Sequence, residues 1–585
     1  MFDRFEPLRL WCQKVLPLVY DDSLSYYEVL CKLTHYINKM GEDISSIPAY
    51  IQSLLTNGTD VTFNTVNNMI DANLTPGMIV KTLGYRTNGD MGGLTYVIGD
   101  TNMGFGIQLS NGKWANPVFL EDYVTPQMLG AYANGSNNDS GYINAAFGVG
   151  KPVNLIGTYL ITSEVAVPSG GKLYSINGGT LKKSGEGFVA VSLGDYSKLI
   201  GVTIEGTQYQ TQIKNQSSYE VVADDVENVI IRDCTIKKAD CTGILVRNCN
   251  NVIIDGNTID RYGYSGIMLF YMCKDIKITN NSILHGVGIT LPNRYAIILG
   301  TGDSNDDTYK SKGIICDSNY IEDDAPYWEG IDAHGLEDSI ISNNVIINTL
   351  SAIALTKGNT VRTHKRITIM GNVIKMSGSC NFAASTGGIA VQTGEDISIM
   401  CNTVSITGNN TGTTDKYGIK ISAEKVTVSE NVLSLPHTGD WRGIFTESRS
   451  GSDCLGCNLN SNVIDTDYNG IQVTNYSRRT TIKGFNNTLR NCATGIYGIM
   501  QPDQDNKVYR SPCFFKQSTF ENVATQVNSN GRGCYTDFDS SAPSTGLLGD
   551  IIYNSAFDGS NVFCWVCTTG YTDSSPAVWT AMSLA

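Results

Sequence analysis

Between Asp233 and Asn487 the chain alternates short runs of β-branched and aliphatic residues with polar breaks, and the breaks resemble one another. Nine copies read IIRDCTI, IIDGNTI, ITNNSI, CDSNYI, ISNNVI, IMGNVI, MCNTV, SENVL and NSNVI. Asn257, Asn281, Asn319, Asn344, Asn372, Asn402, Asn431 and Asn462 hold one position in eight of them, and Cys234 holds it in the first. A unit recurring every ~23–38 residues predicts a stacked array rather than a globular core. A second phrase follows inside each unit: a small residue, then Ile, then alternation, as in GILVR from Gly243, GIMLF from Gly266, GIDAH from Gly330 and GIQVT from Gly470. Each unit therefore carries at least two short strands, and stacking equivalent strands gives parallel sheets. Side chains alternate across a strand, so Ile in the second place faces in and the third place faces out.

The expected fold is all-β: a right-handed parallel β-helix with a small helical N-terminal head and a small β C-terminal domain. Asn suits the turns because it tolerates left-handed backbone and can bond to the Asn one coil on. A helical repeat would need apolar residues three and four apart and few glycines, against 60 Gly here. The long interval from Asn281 to Asn319 predicts a loop near residues 300–312, and solenoid insertions gather on binding faces.

The regions outside the repeat read differently. Residues 1–58 contain Ser25-Tyr-Tyr-Glu28, a capping box, followed by Val29, Leu30, Leu33, Ile37 and Met40 on one helical face. Residues 59–125 read as a small β connector with Gly turns, 126–530 as the β-helix, and 546–585 as a compact β domain.

With 42 basic against 56 acidic residues the net charge is −14, which disfavours nucleic acid as a partner. No apolar run approaches a membrane span and no signal peptide is visible, so no membrane insertion is expected. The 16 Cys fall largely at inward-facing strand places, consistent with buried free thiols in a protein made in a reducing cytoplasm. Cys454–Cys457 and Cys564–Cys567 are each C-x-x-C, but a zinc site would have to unite pairs far apart in the chain.

The block Val124–Lys182, with VTPQMLGAYANGSNNDSGYINAAF and GTYLI, resembles the opening of pectate-lyase-superfamily β-helices in bacteriophage tailspikes. It departs from them where their acidic Asp-Gly-Val-Thr-Asp-Asp becomes the stretch from Ala133 to Asp139. The head, LRLWCQKVLPLVYDDSLSYYEVLCKLTHYINKM, and the segment Gly549–Trp579 look like the terminal parts of the tailspike and pre-neck appendage proteins of short-tailed phages. The resemblance implies a virion protein, made in the host cytoplasm, that forms a homotrimer. It implies docking to tail or neck proteins through the head, and binding and often degrading a host surface polysaccharide or teichoic acid. Apolar residues at the outward third place, Leu245, Met268, Ile298 and Phe445, would supply a stripe for trimer contact.

One coil breaks the pattern. In Tyr327-Trp-Glu-Gly-Ile-Asp-Ala-His-Gly335 the outward places carry Asp332 and His334, ~6.6–7 Å apart along a strand, with Glu329 just before them. Paired carboxylates with a histidine suit acid–base cleavage of a glycoside or phosphodiester, which makes Glu329, Asp332 and His334 the candidate catalytic residues. They can equally be a solvated ladder position. Arg294, Tyr295 and Trp328, with Arg362 and His364 from the next coil, are candidate substrate-binding residues, since guanidinium and aromatic faces suit phosphates and sugar rings; Lys357 lies near them in sequence. No cofactor and no metal ligand set is expected, although Asp303, Asp306, Asp307 and Asp323–Asp324 could hold a divalent cation. A second cluster comprises Asp440, Trp441, Arg442 and Glu447. Two functions follow: an adsorption protein that cleaves surface polymer, or a non-catalytic receptor-binding virion protein. A free polysaccharide lyase fits the head poorly.

Overall fold

The computed structural model describes residues 61–207, 218–286, 294–301, 310–323, 329–356, 363–376, 386–407, 415–448, 454–475, 480–500, 513–529, 534–536, 538–539, 551–554, 562–569 and 578–583. The helical head and Trp328, Lys357, Arg362, Asp303, Asp306, Asp307 and Asp324 lie outside these residues. The chain divides into two units, one up to Ser184 with Ser197–Thr203, the other holding Gly185–Tyr196 and the chain from Ile204.

The first unit opens with a five-stranded sheet of Val61–Phe63, Ile79–Thr82, Thr95–Gly99, Trp114–Val118 and Ile107–Gln108, in that spatial order. Strand Thr95–Gly99 alternates half-buried and buried places, which puts Tyr96 and Ile98 in the core beside Met69, Val80 and Ala115. A helix, Ser140–Phe147, follows. Parallel pairing of coil strands follows, Thr158–Ile161 against Thr180–Lys183 and Val153–Asn154 against Lys172–Tyr174.

The second unit is a parallel β-helix with three strands in each regular coil. In one coil these are Glu227–Arg232, Thr235–Ala239 and Thr242–Arg247, here called the first, second and third strands, and each pairs in parallel with its counterpart 23 residues on. The inward positions line up by register. Ile231, Ile254, Ile278, Cys316, Ile341, Ile369, Ile399, Val428 and Leu459 follow one another along the first sheet, all with 0% exposure. Burying a side chain of this size contributes about 1.5–3 kcal/mol, so each coil is held chiefly by its few inward aliphatics. Residues 538–583 include a four-stranded sheet of Phe538–Asp539, Ile551–Asn554, Val562–Thr569 and Val578–Ser583.

Between the first and second strands runs a column of buried asparagines. Asn257 donates from its backbone N–H and from Nδ2 to Asn281 Oδ1, both at 3.0 Å. The same paired bonds link each later ladder residue to the next, through Asn319, Asn344, Asn372, Asn402, Asn431 and Asn462 to Asn487. The remaining Nδ2 hydrogen goes to a first-strand carbonyl of the preceding coil, as from Asn344 to Cys316 O at 3.0 Å. The ladder bond was expected, but the backbone reason was not. The left-handed residue is the one before each ladder Asn: Gly256, Asn280, Ser318, Asn343, Gly371, Cys401, Glu430, Ser461 and Asn486 all have positive φ. The ladder Asn is selected for its amide, which satisfies donors and acceptors inside a closed turn.

A second correction concerns the outward face of the third sheet. Leu245, Met268, Ile298 and Phe445 do occupy one register row, yet they are only 1–3% exposed within a single chain. The first three pack in a cluster with Val222, Cys241, Tyr264 and Tyr295. Facing away from the coil's interior is thus not the same as facing solvent here, and these residues supply no stripe for a second copy.

Of the cysteines, Cys234, Cys241, Cys249, Cys273, Cys316, Cys454, Cys457, Cys492 and Cys567 are buried and free, and Cys401 is exposed and free.

Candidate functional site

The exceptional coil presents strand Glu329–Ala333 to the third sheet, between Tyr295–Thr301 and Ser351–Leu355. Register places Asp332 on Ile298 on one side and on Ala354 on the other, so a carboxylate stands where the preceding coils carry Met268 and Ile298. Both of its oxygens are engaged. His334 Nε2 lies 2.8 Å from Oδ2, and Thr356 donates from Oγ1 to Oδ1 at 3.1 Å. Thr356 Oγ1 also lies 3.0 Å from His334 Nε2 and 3.2 Å from Nδ1. The Asp332 side chain is 3% exposed and that of His334 is 23% exposed, so the imidazole is the solvent-facing member.

Glu329 differs sharply from Asp332. Its Oε2 is buried and has no hydrogen-bond partner. Desolvation first, and the neighbouring Asp332 second, push its carboxyl well above the usual carboxylate range. Two carboxyl groups close in space thus differ in environment, one hydrogen-bonded on both oxygens and the other with an empty buried oxygen. Pairs of this kind are how acid and base roles are separated at one pH.

The neighbouring residues do not stand as expected. His364 is fully buried; it accepts the Leu336 N–H on Nδ1 at 3.2 Å and donates from Nε2 to Thr356 O at 3.1 Å. Those partners fix the neutral Nε2–H form, and burial holds its pKa down at about 4. His364 is a buried brace behind Thr356 and offers substrate no surface. Arg294 is also buried, forking onto Asp323 through Nε at 3.2 Å and Nη2 at 2.7 Å. Tyr295 packs edge-on against Tyr264 with ring centroids 5.5 Å apart, inside the apolar cluster. The expectation that Arg294, Tyr295 and His364 form an open binding surface is therefore corrected: all three are buried, Arg294 against Asp323, Tyr295 in the apolar cluster, and His364 between the Leu336 N–H and the Thr356 carbonyl.

Thr356 escaped the sequence reading. Its only signal was position, since it follows AIAL just as His334 follows GIDA one coil earlier. The second cluster is partly assembled. Lys420 lies 2.8 Å from Asp415 and 3.0 Å from Glu447, and Arg442 donates from Nε to Gln472 Oε1 at 2.8 Å. Trp441 is buried, and Asp440 stands exposed at a left-handed turn. Lys420 and Arg442 sit 5.1 and 4.8 Å from the centre of the Phe445 ring, so this group is a charge-balanced buried network over an aromatic face. Among the described residues no three His, Cys, Asp or Glu gather to hold a metal ion. No described helix is long and apolar enough to cross a membrane.

The class of protein this architecture defines is the right-handed β-helix. The family model for the right handed beta helix region matches residues 170–305 and 200–404. The fold is similar to that of a phage protein: the pre-mature gene product 12 of bacteriophage phi29 superposes with a TM-score of 0.54 at 15% identity, over 70% of this chain and 57% of that one. The N-terminal fragment of the same phage protein gives 0.52 at 16% identity, over 72% of this chain and 80% of the fragment. Tailspike protein 3 of bacteriophage CBA120 gives 0.45 at 13% identity, over 80% and 72% of the two chains. The chain thus spans little more than half the length of the full phi29 protein. No curated relative matches it in sequence.

Proposed function

We propose that this chain is a phage tail appendage that binds a host surface polymer, a polysaccharide or a teichoic acid, and cleaves it at the Glu329–Asp332–His334 coil. The observation that carries the reading is the contrast between the two carboxyl groups, Glu329 with a buried unpartnered oxygen and a raised pKa, Asp332 bonded to His334 and Thr356. His334, the solvent-facing member, takes a proton from the attacking water or hydroxyl. Asp332 orients the ring and stabilises the imidazolium, with Thr356 and its brace His364 holding that carboxylate in place. Glu329, held protonated by burial, delivers a proton to the departing oxygen of the glycoside or phosphodiester. The likeness of fold to the phi29 protein supports a phage protein; residues 1–58 as the attachment head on tail or neck proteins, and a homotrimer, rest on the sequence resemblance.

The test is to incubate the purified chain with host wall polymer and size the products for the parent and for Glu329→Gln, Asp332→Asn and His334→Ala. Loss of cleavage by about 10²–10⁴-fold in each, with polymer binding retained, is the expected result for acid–base groups. Cleavage that survives all three substitutions removes this site. A second reading is a receptor-binding protein without catalysis, favoured by the 2% exposure of Asp332. Intact polymer with tight binding by the parent would establish it.

A further inference from the structure

The row of the third sheet that carries Glu329 runs on through Ser351 and Gly387 to Tyr417, one residue from each successive coil. Elsewhere the row bears side chains, as at Thr242, Ser265 and Arg442. Gly387 leaves a gap, and the gap is filled from the next coil. A Cβ on Gly387 would lie 2.4 and 2.5 Å from Cδ2 and Cε2 of the Tyr417 ring, so that edge of the ring takes the place of a side chain. The phenol thus reaches back along the row, and its hydroxyl meets Ser351 with Glu329 next beyond. Tyr417 is 2% exposed, so the contact is closed to water.

The groups around Glu329 act on it unequally. Asp332, on the same strand and bonded to His334, opposes a second negative charge there. One coil before, Tyr295 stands two residues ahead of the Ile297–Ile331 pair and packs on Tyr264. Thr356, braced by His364, is engaged with Asp332. Near Tyr417, Asp415 and Lys420 pair at 2.8 Å, and the Lys420 ammonium is 5.9 Å from the ring centre. Burial pushes the Tyr417 phenol far up, against a smaller lowering by Ser351, and the charges of Glu329 and Asp415 add to the rise. The phenol therefore stays neutral and keeps a proton to donate. The buried Oε2 of Glu329, which has no hydrogen-bond partner, needs such a donor once the carboxyl has given up its own proton.

We infer that Tyr417 is a positioning residue for Glu329, its hydroxyl and that of Ser351 forming a donor chain that turns to the carboxylate when the proton leaves. The inference rests on the acid role given to Glu329 above. The proton passes from Glu329 to the departing oxygen; Tyr417 loses none and only reorients. Infrared pH titration of the full chain reads the carboxyl C=O band that Glu329→Gln removes, and needs no substrate. In Tyr417→Phe, which keeps the ring over Gly387, that band should titrate about one pH unit higher, the tenfold change that one buried hydrogen bond makes. Ser351→Ala should move it the same way, and the double variant little further, because the two hydroxyls act as one chain. In the polymer assay the alkaline limb of kcat/KM should follow the band upward in Tyr417→Phe. A band that stays in place or moves down in Tyr417→Phe overturns the inference, as does a band that moves without the limb. Cleavage that persists in Glu329→Gln removes the acid role and this inference with it, whereas a fixed band beside an inactive Glu329→Gln removes only the part given to Tyr417.

Discussion

Replacing Asn344 by Ala should open the β-helix locally, whereas the same change at its neighbour Asn343 should do little. The two residues are adjacent and chemically identical, so only their places in the turn separate them. The Asn344 side chain accepts from the Asn319 N–H and Nδ2 and donates to Cys316 O and Asn372 Oδ1, at 2.9–3.0 Å. It has 0% exposure. Alanine removes all four bonds and leaves the Asn319 N–H, one Asn319 amide hydrogen and Cys316 O without these partners in a place closed to water. At ~1–3 kcal/mol for each stranded buried group, the loss comes to about 4 kcal/mol. Asn343 has φ 54 and bonds from Nδ2 to Asp317 Oδ1 at 2.8 Å on the exposed side. Alanine there forfeits mainly the Asn tolerance of left-handed backbone, ~1 kcal/mol, and glycine should be near neutral. Native-state hydrogen exchange is the suitable assay, because long stacked arrays need not unfold in one step. With tenfold per ~1.4 kcal/mol, amides of Asn319, Asn344 and Val345 should exchange roughly a thousandfold faster in Asn344→Ala and no more than about tenfold faster in Asn343→Ala. Equal effects at the two positions, or a change under tenfold at Asn344, would refute the argument that the ladder amide holds the coil.

Other outcomes follow from the same geometry. Arg294→Ala removes the guanidinium fork from the buried Asp323 and should destabilise by about 3–5 kcal/mol, while Arg294→Met with Asp323→Leu should recover most of that loss in a denaturation series. His364, with a folded pKa of about 4 against 6.5 when exposed, binds fewer protons folded than unfolded, so its contribution is complete above pH 6.5 and is lost as pH falls toward 4. The shift corresponds to ~3 kcal/mol, and His364→Gln should flatten that part of the parent's stability profile; an unchanged slope would count against it. Gly387→Ala would put a Cβ 2.3 Å from the Tyr417 carbonyl oxygen and 2.4 Å from its ring, so the variant should lose stability in a denaturation series, and truncating Tyr417 to Ala should not restore it. In thiol labelling of the folded chain, Cys401 should react first among the described cysteines and Cys273, whose pKa burial pushes up to about 12, only after unfolding.

Much of the β-helix was legible because its code is local and repeated. An inward Ile and a turn Asn recur so regularly that Asp332 and His334 stand out as exceptions. What was not legible depends on contacts between segments far apart in the chain. Alternation told which side of the sheet Met268 and Ile298 face, but not that this side is buried, and Tyr295 was misplaced for the same reason; Arg294 and His364 were misplaced because their burial rests on polar partners. The pairing of Arg294 with Asp323 and the brace from His364 to Thr356 join residues whose spacing carries no periodic signal. The left-handed residue was misassigned by one position because Gly, Ser, Cys and Glu share that place with Asn, and only the ladder position beside it is uniform in sequence.

The ladder bond between Asn257 and Asn281 closes a coil in which the two residues are 24 apart, and that between Asn281 and Asn319 closes one in which they are 38 apart, at 3.0 and 3.1 Å. Added residues therefore leave the clamp undisturbed, and lengthening a loop costs only the slow logarithmic growth of closure entropy. Segments between ladder positions can thus change in length while the frame of the β-helix stays in step.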